Sequence, residues 1–258
     1  PSCYHVAANL AERFLKAGFE ELKETDDWAI EPGGKYFVVR NDSSIIAFSV
    51  PELLVKGFHM AAVHSDSPTF KLKENPEEVT DRKYLKLNTE KYGGMILSTW
   101  LDRPLSVAGR VAVLKQKKIV TKLVNIDKDL LVIPNVAIHM NSEINKGMEY
   151  NPQIDMLPLY AALDEETQDV RGMLVSEVAE YLGVKPEKIL GYDLYLYARE
   201  RGRIFGRDGE FIISPKLDDL ASVYSCAEAF VSTKRKAPSP FRKKICRSLS
   251  LKGNKPFP

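Results

Sequence analysis

Apolar residues near the start of the chain recur about once per helical turn. Over residues 4–24, Val6, Leu10, Phe14, Leu15 and Leu22 fall close to this period and predict an amphipathic helix, capped at Gly18 and restarted at Phe19. Two apolar runs, KYFVVR at 35–40 and SIIAFSV at 44–50, flank Asn41-Asp42 and predict a β-hairpin, because both turn residues tolerate the backbone a tight reversal demands. GFHMAAV at 57–63 is almost continuously apolar, the pattern of a strand buried on both faces. His64-Ser65-Asp66-Ser67-Pro68 follows at its carboxyl end, which is where open α/β sheets bind ligands.

Residues 70–90 read as charged and irregular, and alternating segments around 95–101, 107–115, 118–125 and 130–133 predict several short strands in a small β-rich module. A helix is predicted at 170–183, and Pro186 suits the first turn of a short second one, PEKIL. Strand patterns return at 192–198 and 211–213, the latter ending at Ser214-Pro215-Lys216-Leu217-Asp218-Asp219, before a helix with an apolar face over 220–233. No internal repeat is apparent.

With 258 residues, 44% of them hydrophobic, the chain has enough apolar surface for one large or two moderate domains. It has no run of about 18 apolar residues and no basic-then-apolar leader, which predicts a soluble cytoplasmic protein with no membrane partner. A start at Pro1 rather than Met is expected of a protein whose own beginning lies upstream. Cys3, Cys226 and Cys246 are too few and too scattered for a disulfide framework or a thiolate zinc site, so they read as packed thiols in a reducing compartment. Residues 231–258 hold nine Lys or Arg and no acid, so the net charge of +2 divides into a body of about −7 and a tail of +9. Without stacking aromatics interleaved among the charges, the tail reads as a solvated segment and no nucleic-acid partner is expected.

Three constellations carry chemistry. His64-x-Asp66 at a strand end has the form of an imidazole oriented by a carboxylate for metal binding; alternatively Asp66 caps backbone donors of a turn. Asp218-Asp219 precedes a helix, where an aspartate serves either as N-cap or as a carboxylate bridging two metals about 3.5–4 Å apart. His139 ends the apolar segment Pro134 to Ile138, as a half-buried strand histidine unless a site claims it. His5 and His59 have no comparable partners in the sequence and are given no role.

Taken in order, GFEELKETDDWAIEPGGKYFVVRNDSSIIAFSV, AVHSDSPTFKLK, YGGMILSTWLDRPLSVAGRV, IPNVAIHM and FIISPKLDDLASVYSCAEAF resemble the aspartyl aminopeptidase family over about residues 4–239. The resemblance implies an α/β metallo-aminopeptidase domain, residues 1–72 and 203–258, incomplete at its C-terminal side, with a β-rich oligomerisation domain, 73–202, inserted. It further implies a cytoplasmic homo-oligomer, a dodecamer, with two zinc ions per active site, acting on peptides with N-terminal Asp or Glu. By the same resemblance His64 is a metal ligand, Asp66 the catalytic aspartate that orients it, and Asp218 the bridging metal ligand. His139 is a substrate-binding residue reaching a neighbouring subunit's site.

The family pattern also places an adjacent glutamate pair, an aspartate and a histidine after the bridging aspartate. Here Glu228 is the one acid beyond Asp219, and no histidine follows His139. A sequence cut short, or a tail altered by frameshift or splicing, accounts for this. If the chain is whole as written, negligible peptidase activity is expected, and the alternative is an interaction subunit that joins full-length assemblies.

Overall fold

The structure is a computed structural model, and it describes residues 1–52, 57–164 and 169–233 together with the backbone of 246–252. The chain forms two compact units, one of Ser2–Ser67 with Lys216–Pro258 and one of Pro68–Pro215 with Pro1. Most of the basic tail expected to be solvated, 234–245 and 253–258, lies outside the described residues.

In the first unit, helix α1 (Cys3–Lys16) buries Cys3, Tyr4, Ala7, Leu10 and Phe14, a spacing of three and four that lines one face. The expected restart at Phe19 does not occur. Gly18 takes a positive φ of 77°, Phe19 turns into the core, and Glu20–Glu21 form a two-residue strand, β1. Leu15, read as part of the apolar face, is exposed.

The hairpin forms as its sequence predicts. Strands β2 (Lys35–Arg40) and β3 (Ser44–Ser49) pair antiparallel, with Arg40 opposite Ser44, and Asn41 and Asp42 supply positive φ at the turn. Strand β4 (Phe58–His64) belongs to the same sheet but is separated from β3 by Cys246–Lys252, here β13, giving the order β1-β2-β3-β13-β4. The tail thus carries a strand that its basic composition did not predict. It runs antiparallel to β3 and parallel to β4, with Lys252 opposite His64.

The expectation that β4 is buried on both faces is corrected: Phe58 and Met60 are 68% and 79% exposed. Among the described residues it is an edge strand with one neighbour in the sheet, and within the described core only Val63 of this strand is packed.

Helix α3 (Leu217–Ser232) completes the unit. Asp218 and Asp219 have non-helical φ/ψ, and the regular helix begins at Leu220, as the sequence predicts. Val223 and Ala227 join Leu10, Phe14, Phe19, Phe37, Ile45 and Ala47 in one core. Phe14 is its centre, with ring centroids 5.2 Å from Phe19, 5.9 Å from Phe37 and 6.4 Å from Phe230. Arg13 forks onto Glu228 at 2.6 and 2.7 Å, joining α1 to α3.

The second unit is built on strands β5 (Thr69–Thr80), β6 (Tyr84–Tyr92), β7 (Leu105–Lys115), β8 (Lys118–Asn125), β9 (Leu159–Ala162) and β10 (Ile189–Ala198), in the order β8-β7-β10-β5-β6-β9. Residues 70–90 are therefore a long hairpin rather than irregular: Leu85, Leu87 and Thr89 face inward on alternate positions. Lys86 and Asn88 between them are the outward half of that alternation. The predicted strand at 95–101 is instead a 3₁₀ turn over Leu97–Trp100, and 130–133 contributes only isolated bridges. Helix α2 (Met173–Leu182) packs Leu174 and Val178 onto the sheet core, and Pro186–Lys188 is a single 3₁₀ turn whose Ile189 already belongs to β10. A two-stranded ribbon, β11 (Arg203–Phe205) and β12 (Phe211–Ile213), ends the unit.

Candidate metal centre

The end of β4 and the start of α3 bring together residues far apart in sequence. His64 is the last residue of β4. Its Nδ1 lies 3.0 Å from the Asp66 carbonyl oxygen and 3.3 Å from Asp66 Oδ1, and its Nε2 lies 3.2 Å from Asp218 Oδ1. Asp219 Oδ2 is 4.0 Å from the same Nε2 and accepts the His64 backbone N–H at 3.4 Å. Ser67 Oγ donates to the Asp218 carbonyl at 3.2 Å. Lys216, just before α3, takes a positive φ of 62°, and its side chain makes no capping hydrogen bond.

The electrostatics follow from this packing. Burial, the largest single influence on His64, works against the charged ring, but the hydrogen bond to the Asp66 carbonyl and the carboxylates of Asp66, Asp219 and Asp218 outweigh it and raise the pKa. The same carboxylates that favour positive charge on the ring would favour a divalent cation on Nε2, with Nδ1–H donating to Asp66. The Asp218 side chain is 94% exposed and open to a ligand, whereas that of Asp219 is 21% exposed.

The donor chemistry of His64 Nε2 and Asp218 Oδ1 therefore fits zinc, which accepts both nitrogen and carboxylate oxygen. Among the described residues no group of three His, Cys, Asp or Glu has the spacing of a complete site. Glu228, the one acid after Asp219, is engaged by Arg13. His139 belongs to the other unit, where it is exposed in the turn at 138–140. A half-buried strand position is not what it occupies, since Pro134 and Asn135 lead the chain out of the bridges at 131–133 and no ladder continues.

Two contacts of the site leave no mark in the sequence. Asp219 was paired with Asp218 in the motif but gave no sign that it would meet the His64 backbone, and a lone Ser67 carried no signal. Cys3 is buried, with a pKa pushed up to about 11 chiefly by that burial, which fits the packed thiol expected.

The family model described as aminopeptidase I zinc metalloprotease (M18) matches residues 1–247. The chain belongs to the M18 family. The probable M18 family aminopeptidase 2 of Clostridium acetobutylicum is 46% identical over 238 residues, 91% of this chain and 55% of that protein. The protein of the same description from Pseudomonas entomophila is 37% identical over 235 residues, 90% and 54%. Among solved structures, Ape4 in its complex with Nbr1 is 34% identical with a TM-score of 0.89, over 97% of this chain and 51% of that one. Chaetomium thermophilum mApe1 is 31% identical with a TM-score of 0.85, over 97% and 59%. The mixed α/β architecture is thus that of M18 aminopeptidases. This M18 chain spans about half the length of the curated relatives it matches.

Proposed function

We propose that this M18 chain contributes to a two-zinc aminopeptidase site that releases N-terminal Asp or Glu from peptides. The observation that carries the proposal is the approach of His64 Nε2 to Asp218 Oδ1, 3.2 Å, with Nδ1 turned onto Asp66. In this reading His64 and Asp218 hold metal, and Asp66 fixes the tautomer and rotation of the His64 ring so that the Nε2 lone pair is presented. Bound zinc supplies Lewis acidity toward the scissile carbonyl and lowers the pKa of a coordinated water. The acidic preference rests on the resemblance to aspartyl aminopeptidases and requires a cationic pocket for the side-chain carboxylate.

The same reading assigns 1–72 and 203–258 to the peptidase domain and 73–202 to an oligomerisation insert. Saccharomyces mApe1, 24% identical and sharing the fold with a TM-score of 0.80, is described as a dodecamer. We extend that assembly to this chain, with exposed His139 reaching a neighbouring subunit's substrate. Cytoplasmic residence belongs to the proposal as well; among the described residues no helix is long and apolar enough to cross a membrane.

Turnover of aspartyl and alanyl p-nitroanilides tests it. Hydrolysis of the aspartyl amide alone, lost with a chelator and in His64→Ala, supports the reading; hydrolysis that survives both contradicts it. A second reading is a catalytically incomplete interaction subunit. It predicts no turnover but co-assembly with a full-length M18 enzyme.

A further inference from the structure

His64 and Asp218 are donors on segments 154 residues apart, and a metal held by both tolerates errors of only about half an ångström in their spacing. Asp66 cannot set that spacing. It lies two residues from His64 on the same segment, so its contact fixes how the ring rotates and leaves open where the end of β4 stands relative to α3.

Two contacts made from the start of α3 do set it. Asp219 Oδ2 accepts the His64 backbone N–H at 3.4 Å, and the Asp218 carbonyl accepts from Ser67 Oγ at 3.2 Å. Asp219 is the more enclosed of the two aspartates, at 21% against 94% side-chain exposure, and its oxygen is nearer to the main-chain nitrogen of His64 than to Nε2, 3.4 against 4.0 Å. β4 is also the edge strand of its sheet, so on its outer side no described strand is available to receive a backbone N–H.

We propose that Asp219 is a positioning residue: its carboxylate oxygen clamps the His64 backbone amide, assisted by Ser67 on the Asp218 carbonyl, and so sets the separation of the two metal donors. The inference rests on reading His64 and Asp218 as those donors. It differs from a ligand role in what it demands of residue 219. A clamp needs an acceptor oxygen, which asparagine retains; a metal ligand needs the carboxylate charge.

The test uses the 258-residue chain. Hydrogen exchange at the His64 amide is measured by NMR on the metal-free protein, with the Val38 amide in β2 as internal control. Zinc affinity is measured by competition with a chromophoric chelator. Asp219→Asn is expected to keep His64 protection and to hold zinc within about threefold, whereas Asp219→Ala loses protection at His64 alone and weakens zinc by about 10–100-fold, the usual loss when a partner behind a metal ligand is removed. Equal losses in the Asn and Ala variants, or an Ala variant with unchanged His64 exchange, would overturn the proposal. If Asp219→Ala also deprotects Val38, Ser67→Ala takes its place, and unchanged exchange and affinity there contradict the clamp. Should the wild-type chain bind no zinc, the metal-centre reading fails, while His64 exchange still decides the clamp.

Discussion

His64 Nε2 and Asp218 Oδ1 stand 3.2 Å apart across 154 residues of sequence. Nothing local forces that meeting. It follows from β4 ending where α3 begins, and α3 is placed by Val223, Ala227 and Phe230 packing against the aromatic core around Phe14. The site therefore depends on a core that touches none of its chemistry.

Asp66 is predicted to act on the ring as well as on the metal. In Asp66→Ala the pKa of His64, raised in the wild type against the opposing effect of burial, is expected to fall toward the ordinary value of 6.5, because one of the three carboxylates supporting the imidazolium is gone. An NMR titration of the His64 ring reads this directly. An unchanged titration would mean that Asp66 does not support the imidazolium.

Gly109 on β7 has no room for a side chain. A Cβ there would overlap the Asp193 carbonyl oxygen and meet Leu194 Cα at 3.0 Å, both backbone of the adjacent strand β10. Gly109→Ala is expected to cost about 1–3 kcal/mol or more by forcing the strands apart. Gly94→Ala, with nothing within 4 Å, is the matched control and is expected to be near neutral. Denaturant unfolding of the two variants side by side settles the comparison.

His5 gives the fold an acid-sensitive element. Its pKa is lowered to about 4, first by burial and then by nearby positive charge including Lys216, so the folded state favours the neutral ring. A depressed folded value means that the stabilisation is present above the ordinary pKa of 6.5 and is lost as pH falls toward 4. After discounting for solvent screening of a partly exposed ring, this amounts to roughly 1–2 kcal/mol. His5→Gln is expected to flatten stability between these two pH values in urea denaturation series; an unaltered pH slope would remove His5 as the cause.

The legible parts of the fold were those with strong local signals. Asn41-Asp42 announced the hairpin, and the strand before His64 and the helix after Asp219 were placed by apolar runs of the right length. The failures came where tertiary context overrode the run. Leu85, Leu87 and Thr89 do alternate, but charged neighbours hid a period of two that only a paired β5 makes visible. The continuous apolar stretch of β4 implied two covered faces, and its place at the sheet edge gives it fewer neighbours. At the site, His64 and Asp218 were legible as candidates because their residue types suit metal chemistry. The contacts of Asp219 and Ser67 were not, since a hydrogen bond to a main-chain atom leaves no mark on sequence.

The most direct measurement is zinc binding by the 258-residue chain and by His64→Ala and Asp218→Ala, followed by chelator competition and by cobalt substitution read in the visible spectrum. The account predicts saturable binding in the wild type and about 10–100-fold or greater loss in each variant, with secondary structure unchanged. Binding that is the same in all three proteins would contradict it.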